Sequence, residues 1–241
     1  MAQLLAVVGA SGGCGASTLA ALLARSRARH GRTVLVDLDA GGAGVEVLLG
    51  VEAVPGVRWA DLEHARGGLR PDDLRGVLPT WEGVEVLSED RRAGTTPPDV
   101  RASVLDALTA GAETVVLDTS ARTVAHVPDV ARAVAAARAV LVTRQDVGGT
   151  AAALRVRALV GDAAGVVLRR CRASTVAPAE VGHALGTRVL ARPPDDAAVR
   201  DSVERGLGPR PGRALRRAVA RVDAALAGTA GQRPGAGRVL T

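Results

Sequence analysis

The sequence predicts an α/β protein of three layers: a mostly parallel sheet of about seven strands with helices on both faces. Three observations lead there. Short apolar, β-branched runs alternate along the chain with segments of helical periodicity. Several of these runs, such as LLAVVG and TVLVD, are almost continuously apolar, as strands buried on both faces require. The length, 241 residues, suits one domain with a substantial core.

In order, strands are predicted at 4–9, 33–37, 84–88, 114–118, 139–143, 165–168 and 187–190. Between them, helical patterns lie near 17–30, 99–110, 128–137, 148–160, 178–185 and 197–205, with a last one near 212–227. Right-handed crossovers place the loops that follow the strands on one edge of such a sheet, where ligands bind. Residues 51–83 contain Pro55, Pro71, Pro79 and both tryptophans, and read as short helices and loops outside the main sheet. One domain is therefore expected over 1–227. The tail GTAGQRPGAGRVLT, 228–241, is rich in glycine and proline and reads as disordered.

Composition excludes several classes. No apolar run reaches membrane-spanning length, and the first residues lack the basic start and long apolar stretch of a secretory signal. A cytoplasmic protein is the expectation. Cys14 and Cys171 stand far apart, and His30, His64, His126 and His183 are scattered, so neither a disulfide framework nor a metal- or thiol-based enzyme is indicated. Lys, Ile, Asn, Phe and Tyr are absent, residues that share AT-rich codons, so the gene reads as one from a GC-rich genome. All 31 basic residues are therefore arginine. The net charge of +6 divides unevenly: residues 1–120 carry −5 and residues 121–241 carry +11. A basic second half can attract nucleic acid, anionic lipid or an acidic partner, or can simply be solvated helix faces.

The chemistry concentrates in GASGGCGAST, residues 9–18, between the first strand and the first helix. Glycines there let the backbone form a nest of inward N–H groups, and the helix that follows adds its positive end. Ser17 stands where a hydroxyl would ligate Mg²⁺; the plain reading of Ser17 or Thr18 is a helix cap. VLVDLDAGGAG ends its strand in Asp37 and Asp39. TVVLDTSA ends in Asp118, the usual place for an acid that reaches Mg²⁺ through water.

Three segments carry a resemblance. SGGCGAST resembles the deviant Walker A loop, KGGxGKTT, of the MinD/ParA family of P-loop ATPases. VLVDLDAGGAGVEVLLG looks like that family's Asp-x-Asp segment, and VLARPPDDAAVRDSVERGLGP like its late proline loop, near the nucleotide base. The likeness runs in order from about residue 3 to 227. It is nearer to the CpaE-like, septum-site-determining or pilus/secretion-locus subgroup of high-GC bacteria, whose loop often reads GGxGAST. The resemblance implies a P-loop NTPase fold, with ATP or ADP and Mg²⁺ as cofactors. Gly12, Gly13, Cys14, Gly15, Ala16, Ser17 and Thr18 would hold the phosphates, and Pro194 would lie by the base. Ser17, with Asp118 through water, would hold the metal, and Asp39 and Asp37 would position or activate the attacking water.

The sequence departs from that pattern at three positions. Ala10 replaces the first glycine, Ser11 the signature lysine that crosses the dimer, and Ala16 the loop lysine on the β- and γ-phosphates. Codon habit would put arginine at 16, so the lost charge there has another cause. A charge-assisted hydrogen bond contributes about 1.5–3 kcal/mol, about ten- to a hundredfold in affinity. Charge on a transferring phosphoryl group is worth far more, about 10³–10⁵ in rate. Binding is therefore expected to survive while hydrolysis is weak or absent. Arg122 and Arg144 are the candidates for a substitute cation; the plain reading of each is a surface arginine.

The resemblance further implies a homodimer and a protein partner in division or secretion machinery. Alternatives are an active dimeric ATPase of the same family and a ParA-like partition protein binding DNA non-specifically. In RPGRALRRAVARVDAALAG, Leu215, Val219, Val222 and Leu226 form a stripe, with Arg213, Arg216, Arg217 and Arg221 around it. Such a helix either closes the core or makes a peripheral contact at the inner face of the membrane.

Overall fold

The computed structural model describes residues 2–39, 44–63, 65, 68–90, 92, 96–161, 163–171 and 174–227. The tail expected to be disordered, 228–241, lies outside the described residues. The first half holds β1 (Gln3–Gly9), α1 (Ala16–Arg27), β2 (Thr33–Asp37), α2 (Val45–Leu49), α3 (Trp59–Leu62), β3 (Thr80–Trp81), β4 (Val84–Leu87) and α4 (Pro98–Gly111). The second holds β5 (Thr114–Ser120), α5 (Ala121–His126), α6 (Pro128–Ala136), β6 (Arg138–Arg144) and α7 (Val147–Val160). It ends with β7 (Gly165–Arg169), α8 (Pro178–Leu185), β8 (Val189–Ala191), α9 (Ala197–Val203) and α10 (Arg213–Ala227).

The strands form one sheet in the order β3-β4-β2-β5-β1-β6-β7-β8. All neighbours are parallel except β3 with β4. The apolar runs of the strands serve two cores. On β1, Leu5 and Val7 pack on one face with α1, α2 and α10, while Ala6 and Val8 pack on the other with α3 to α8. Alternate side chains point to opposite faces, so a strand covered on both must be apolar throughout.

The structure adds one strand to the seven expected and places part of residues 51–83 in the sheet. Thr80–Trp81 pairs antiparallel with β4 through a turn at Glu82 and Gly83, whose φ angles are 48° and 85°. Two left-handed residues give a hairpin turn that matches strand twist. Glutamate is an unusual residue there, and two strand residues show no alternation, so the hairpin left no readable pattern. Trp81 is buried, with the Arg25 guanidinium 5.8 Å from its ring centre. The rest of the segment is held by Arg58, which pairs with Glu46 at 2.7 Å and donates to the carbonyls of Val51 and Val54. The last strand runs 189–191 rather than 187–190. Helix α5 was also not predicted; it has six residues, is capped by Ser120, and ends where Pro128 opens α6.

Helix α10 closes the core. Leu215, Ala218, Val219, Val222 and Leu226 are buried, while Arg213, Arg216, Arg217 and Arg221 are exposed. Asp223 accepts from Ser26 Oγ at 2.8 Å, fixing α10 to α1. The apolar stripe is thus already covered, leaving the basic face for solvent or a partner. Among the described residues no helix is long and apolar enough to cross a membrane.

Candidate functional site

The central strands β2, β5 and β1 end side by side, and their register sets the site. Asp118 of β5 pairs with Val7 of β1 and with Asp37 of β2. The chain then leaves β1 through the glycine loop and enters α1. Gly15 is the residue before the helix, left-handed at φ 92°, and no side chain caps α1. Its first N–H groups therefore face the loop without a side-chain acceptor. Gly13 is left-handed too, at φ 68°, and Cβ atoms built on Gly12, Gly13 or Gly15 would meet nothing within 4 Å. The open side of the loop belongs to a cavity of about 540 Å³, which Asp37, Asp39, Asp118, Ser17 and Thr18 also line.

Two hydroxyl side chains of the cavity stand out. Ser11 Oγ is buried with no hydrogen-bond partner. Ser17 and Asp118 line the same cavity, with the Ser17 hydroxyl near enough to favour the charged carboxylate. A hydroxyl beside a carboxylate is a hard-oxygen pair of the kind that Mg²⁺ takes together with phosphate and water. Among the described residues, no cluster of three or more His, Cys, Asp and Glu side chains could hold a metal by itself. The donor set thus fits a metal shared with a phosphate.

The carboxylates are crowded. Burial first, then the charges of Asp37 and Asp39, push Asp118 well above the usual carboxylate range, while the nearby Ser17 hydroxyl pulls the other way. Burial likewise pushes Asp37 up to about 6, against the amides of Asp39 and Val45 that it accepts at 3.0 and 2.9 Å. Asp37 is thus a buried anchor for the turn after β2. Asp39 is half-buried and accepts from Ser120 Oγ at 2.5 Å and from Thr123 Oγ1. Those two hydroxyls belong to the start of α5, so the unpredicted helix positions a predicted site residue.

Cys14 faces the core: it is 3% exposed, and burial pushes its thiol up, opposed by the amides of Ser11, Ala16 and Cys14 itself. Ala10 and Ala16 are also buried. Pro194 lines a second cavity of about 190 Å³ beside the loop, with Cys14, Gly15, Thr18, Pro193 and Val199. Its largely apolar wall suits a flat ring.

Neither arginine singled out from the sequence lines these cavities. Arg144 is exposed and pairs with Asp146 at 2.9 Å, and Arg122 is exposed on α5. The arginine that does line both is Arg169, at the end of β7. Its sequence context, GVVLRRCRA, holds several arginines, and nothing in it separates the one that turns toward the loop.

No protein-family model matches the chain. An uncharacterized Mycobacterium tuberculosis protein, Rv3660c, is 34% identical over 208 residues, 84% of this chain and 57% of that protein. The chain thus spans little more than half the length of the curated relatives it matches. Among solved structures, a ParA family ATPase from Chlorobium tepidum superposes with a TM-score of 0.79 at 17% identity, covering 94% of this chain and 99% of that one. The septum site-determining protein MinD of Pyrococcus horikoshii, complexed with Mg-ADP, gives 0.73 at 19% identity, covering 96% and 98%. The fold is that of the ParA and MinD P-loop ATPases.

Proposed function

We propose that this chain is a MinD/ParA-type nucleotide-binding protein of the CpaE-like kind. It acts as a positioning or regulatory scaffold that binds Mg-ADP or Mg-ATP and hydrolyses ATP weakly or not at all. One observation carries this reading: the open glycine loop and its cavity keep Ser17, Asp37, Asp39 and Asp118, while Ser11 and Ala16 bring no charge. Amides, the helix end and the Ser17–Asp118 pair support binding; the missing cations remove the stabilisation that transfer needs. A homodimer and a client in septum or pilus/secretion machinery follow from the family resemblance.

Calorimetric titration with Mg-ADP and Mg-ATP, combined with phosphate release, tests the reading. Binding with negligible turnover supports it. Turnover that Asp39→Ala abolishes would instead make the chain an active ATPase. Absence of binding by both nucleotides would overturn the reading.

A second reading rests on the exposed basic face of α10, Arg213, Arg216, Arg217 and Arg221. That face supports non-specific contact with DNA phosphates or an anionic membrane surface. A steep loss of DNA affinity with salt is expected for the first, and vesicle pelleting for the second.

A further inference from the structure

Among the described residues lining the larger cavity, Arg169 carries the basic side chain. It is the last residue of β7, paired in register with Arg144 of β6. The two diverge: Arg144 stays outside with Asp146, whereas the Arg169 guanidinium donates to the carbonyl oxygen of Gly13, at the tip of the glycine loop. Its Nε donates to Asp195 Oδ1 at 3.0 Å, so Arg169 links the loop to the proline segment beside the second cavity. The side chain is 39% exposed and Asp195 60% exposed, so the pair is reachable from solvent.

We propose that Arg169 is a phosphate-binding cation of this site, adding from β7 affinity for the bound nucleotide rather than the charge that a transferred phosphoryl group needs. This rests on the nucleotide-binding reading above. A guanidinium presents five N–H donors in a fixed plane, so it can hold a phosphate and keep a second acceptor. A doubly charged phosphate group is a stronger acceptor than the Gly13 carbonyl and competes with the exposed carboxylate of Asp195. Phosphate entering the loop would therefore draw Arg169 from its present partners. The ligand class is a nucleoside di- or triphosphate, since the guanidinium lies where the two cavities meet. Asp195 acts as a competing anion: it pre-positions Arg169 and lowers apparent phosphate affinity.

The alternative role is a structural strap between loop and proline segment, and the test separates the two. Mg-ADP and adenosine are titrated calorimetrically and by NMR into the wild-type chain, Arg169→Gln, Arg169→Lys and Asp195→Asn. Arg169→Gln is expected to weaken Mg-ADP about ten- to a hundredfold while leaving adenosine within about twofold. Arg169→Lys restores part of the loss, and Asp195→Asn tightens Mg-ADP several-fold. Thermal midpoints should move by no more than about 2 °C, because an exposed pair contributes little to stability. If wild-type binds Mg-ADP and Arg169→Gln binds it equally well, or loses adenosine and Mg-ADP in equal proportion, Arg169 does not read phosphate. If wild-type binds neither nucleotide, the nucleotide reading falls, and this inference falls with it.

Discussion

The indole Nε1 of Trp59 donates to the main-chain oxygen of Asp37 at 2.7 Å, with Trp59 1% exposed. A tryptophan from the irregular segment thus pins the end of β2, where the site's first carboxylate begins. Trp59→Phe would remove that hydrogen bond and leave a void in its place. Urea denaturation should show a loss of about 2–4 kcal/mol. An unchanged midpoint would mean that the segment does not support the site.

Ser120 has two tasks: it accepts from the Thr123 amide at 3.3 Å to cap α5, and it donates to Asp39. Ser120→Ala should cost about 1 kcal/mol, the usual value of a lost cap. Hydrogen exchange should localise the change to α5, with faster amide exchange at Thr123 and Val124. Faster exchange spread over the whole sheet would contradict a local cap.

Asp37 makes stability depend on pH with a definite sign. Its folded-state value of about 6 stands above the ordinary 3.8 because burial disfavours its charge. Between those values the folded chain keeps a proton that the unfolded chain has released. Stability therefore falls as pH rises from about 4 to about 6, by about 1–3 kcal/mol. Asp118 is shifted the same way and adds to the slope. Thermal midpoints across that range should fall for wild-type and fall less for Asp37→Asn. Parallel profiles would show that Asp37 titrates normally.

Ala16 is 9% exposed and lines the cavity of the glycine loop. Ala16→Lys should strengthen Mg-ADP binding about ten- to a hundredfold and raise phosphate release. Calorimetry and a phosphate assay check both. Unchanged affinity would show that this position does not face the phosphates.

The buried Cys14 thiol should resist a disulfide reagent that reacts readily with the partly exposed Cys171. Counting thiols before and after denaturation should find one fast and one masked group. Equal rates would place Cys14 outside the core.

Much of the site was legible because its signals are local. A glycine run between an apolar strand and a helix must fold as a tight loop, and carboxylates at the ends of parallel strands must share an edge. Asp37, Asp39, Asp118 and Ser17 could be placed by that reasoning. Their electrostatic coupling could not, since the elevation of Asp37 and Asp118 comes from burial among strands distant in sequence. The hairpin at Glu82–Gly83 and helix α5 are too short for periodicity to show. Arg169 was missed because a side chain's direction is not written in its neighbours.

By itself the sequence determined the alternation of strands and helices, the covered faces of the sheet, the glycine loop and the loss of positive charge at 11 and 16. These depend on residue type and short spacing, which act within a few residues of chain. Tertiary structure alone decided that Arg169 reaches Gly13 across 156 residues, that α5 hydroxyls hold Asp39, and that the α10 stripe is buried while its arginines face out. Such contacts join elements far apart in the chain, and only the packed sheet brings them within hydrogen-bonding range.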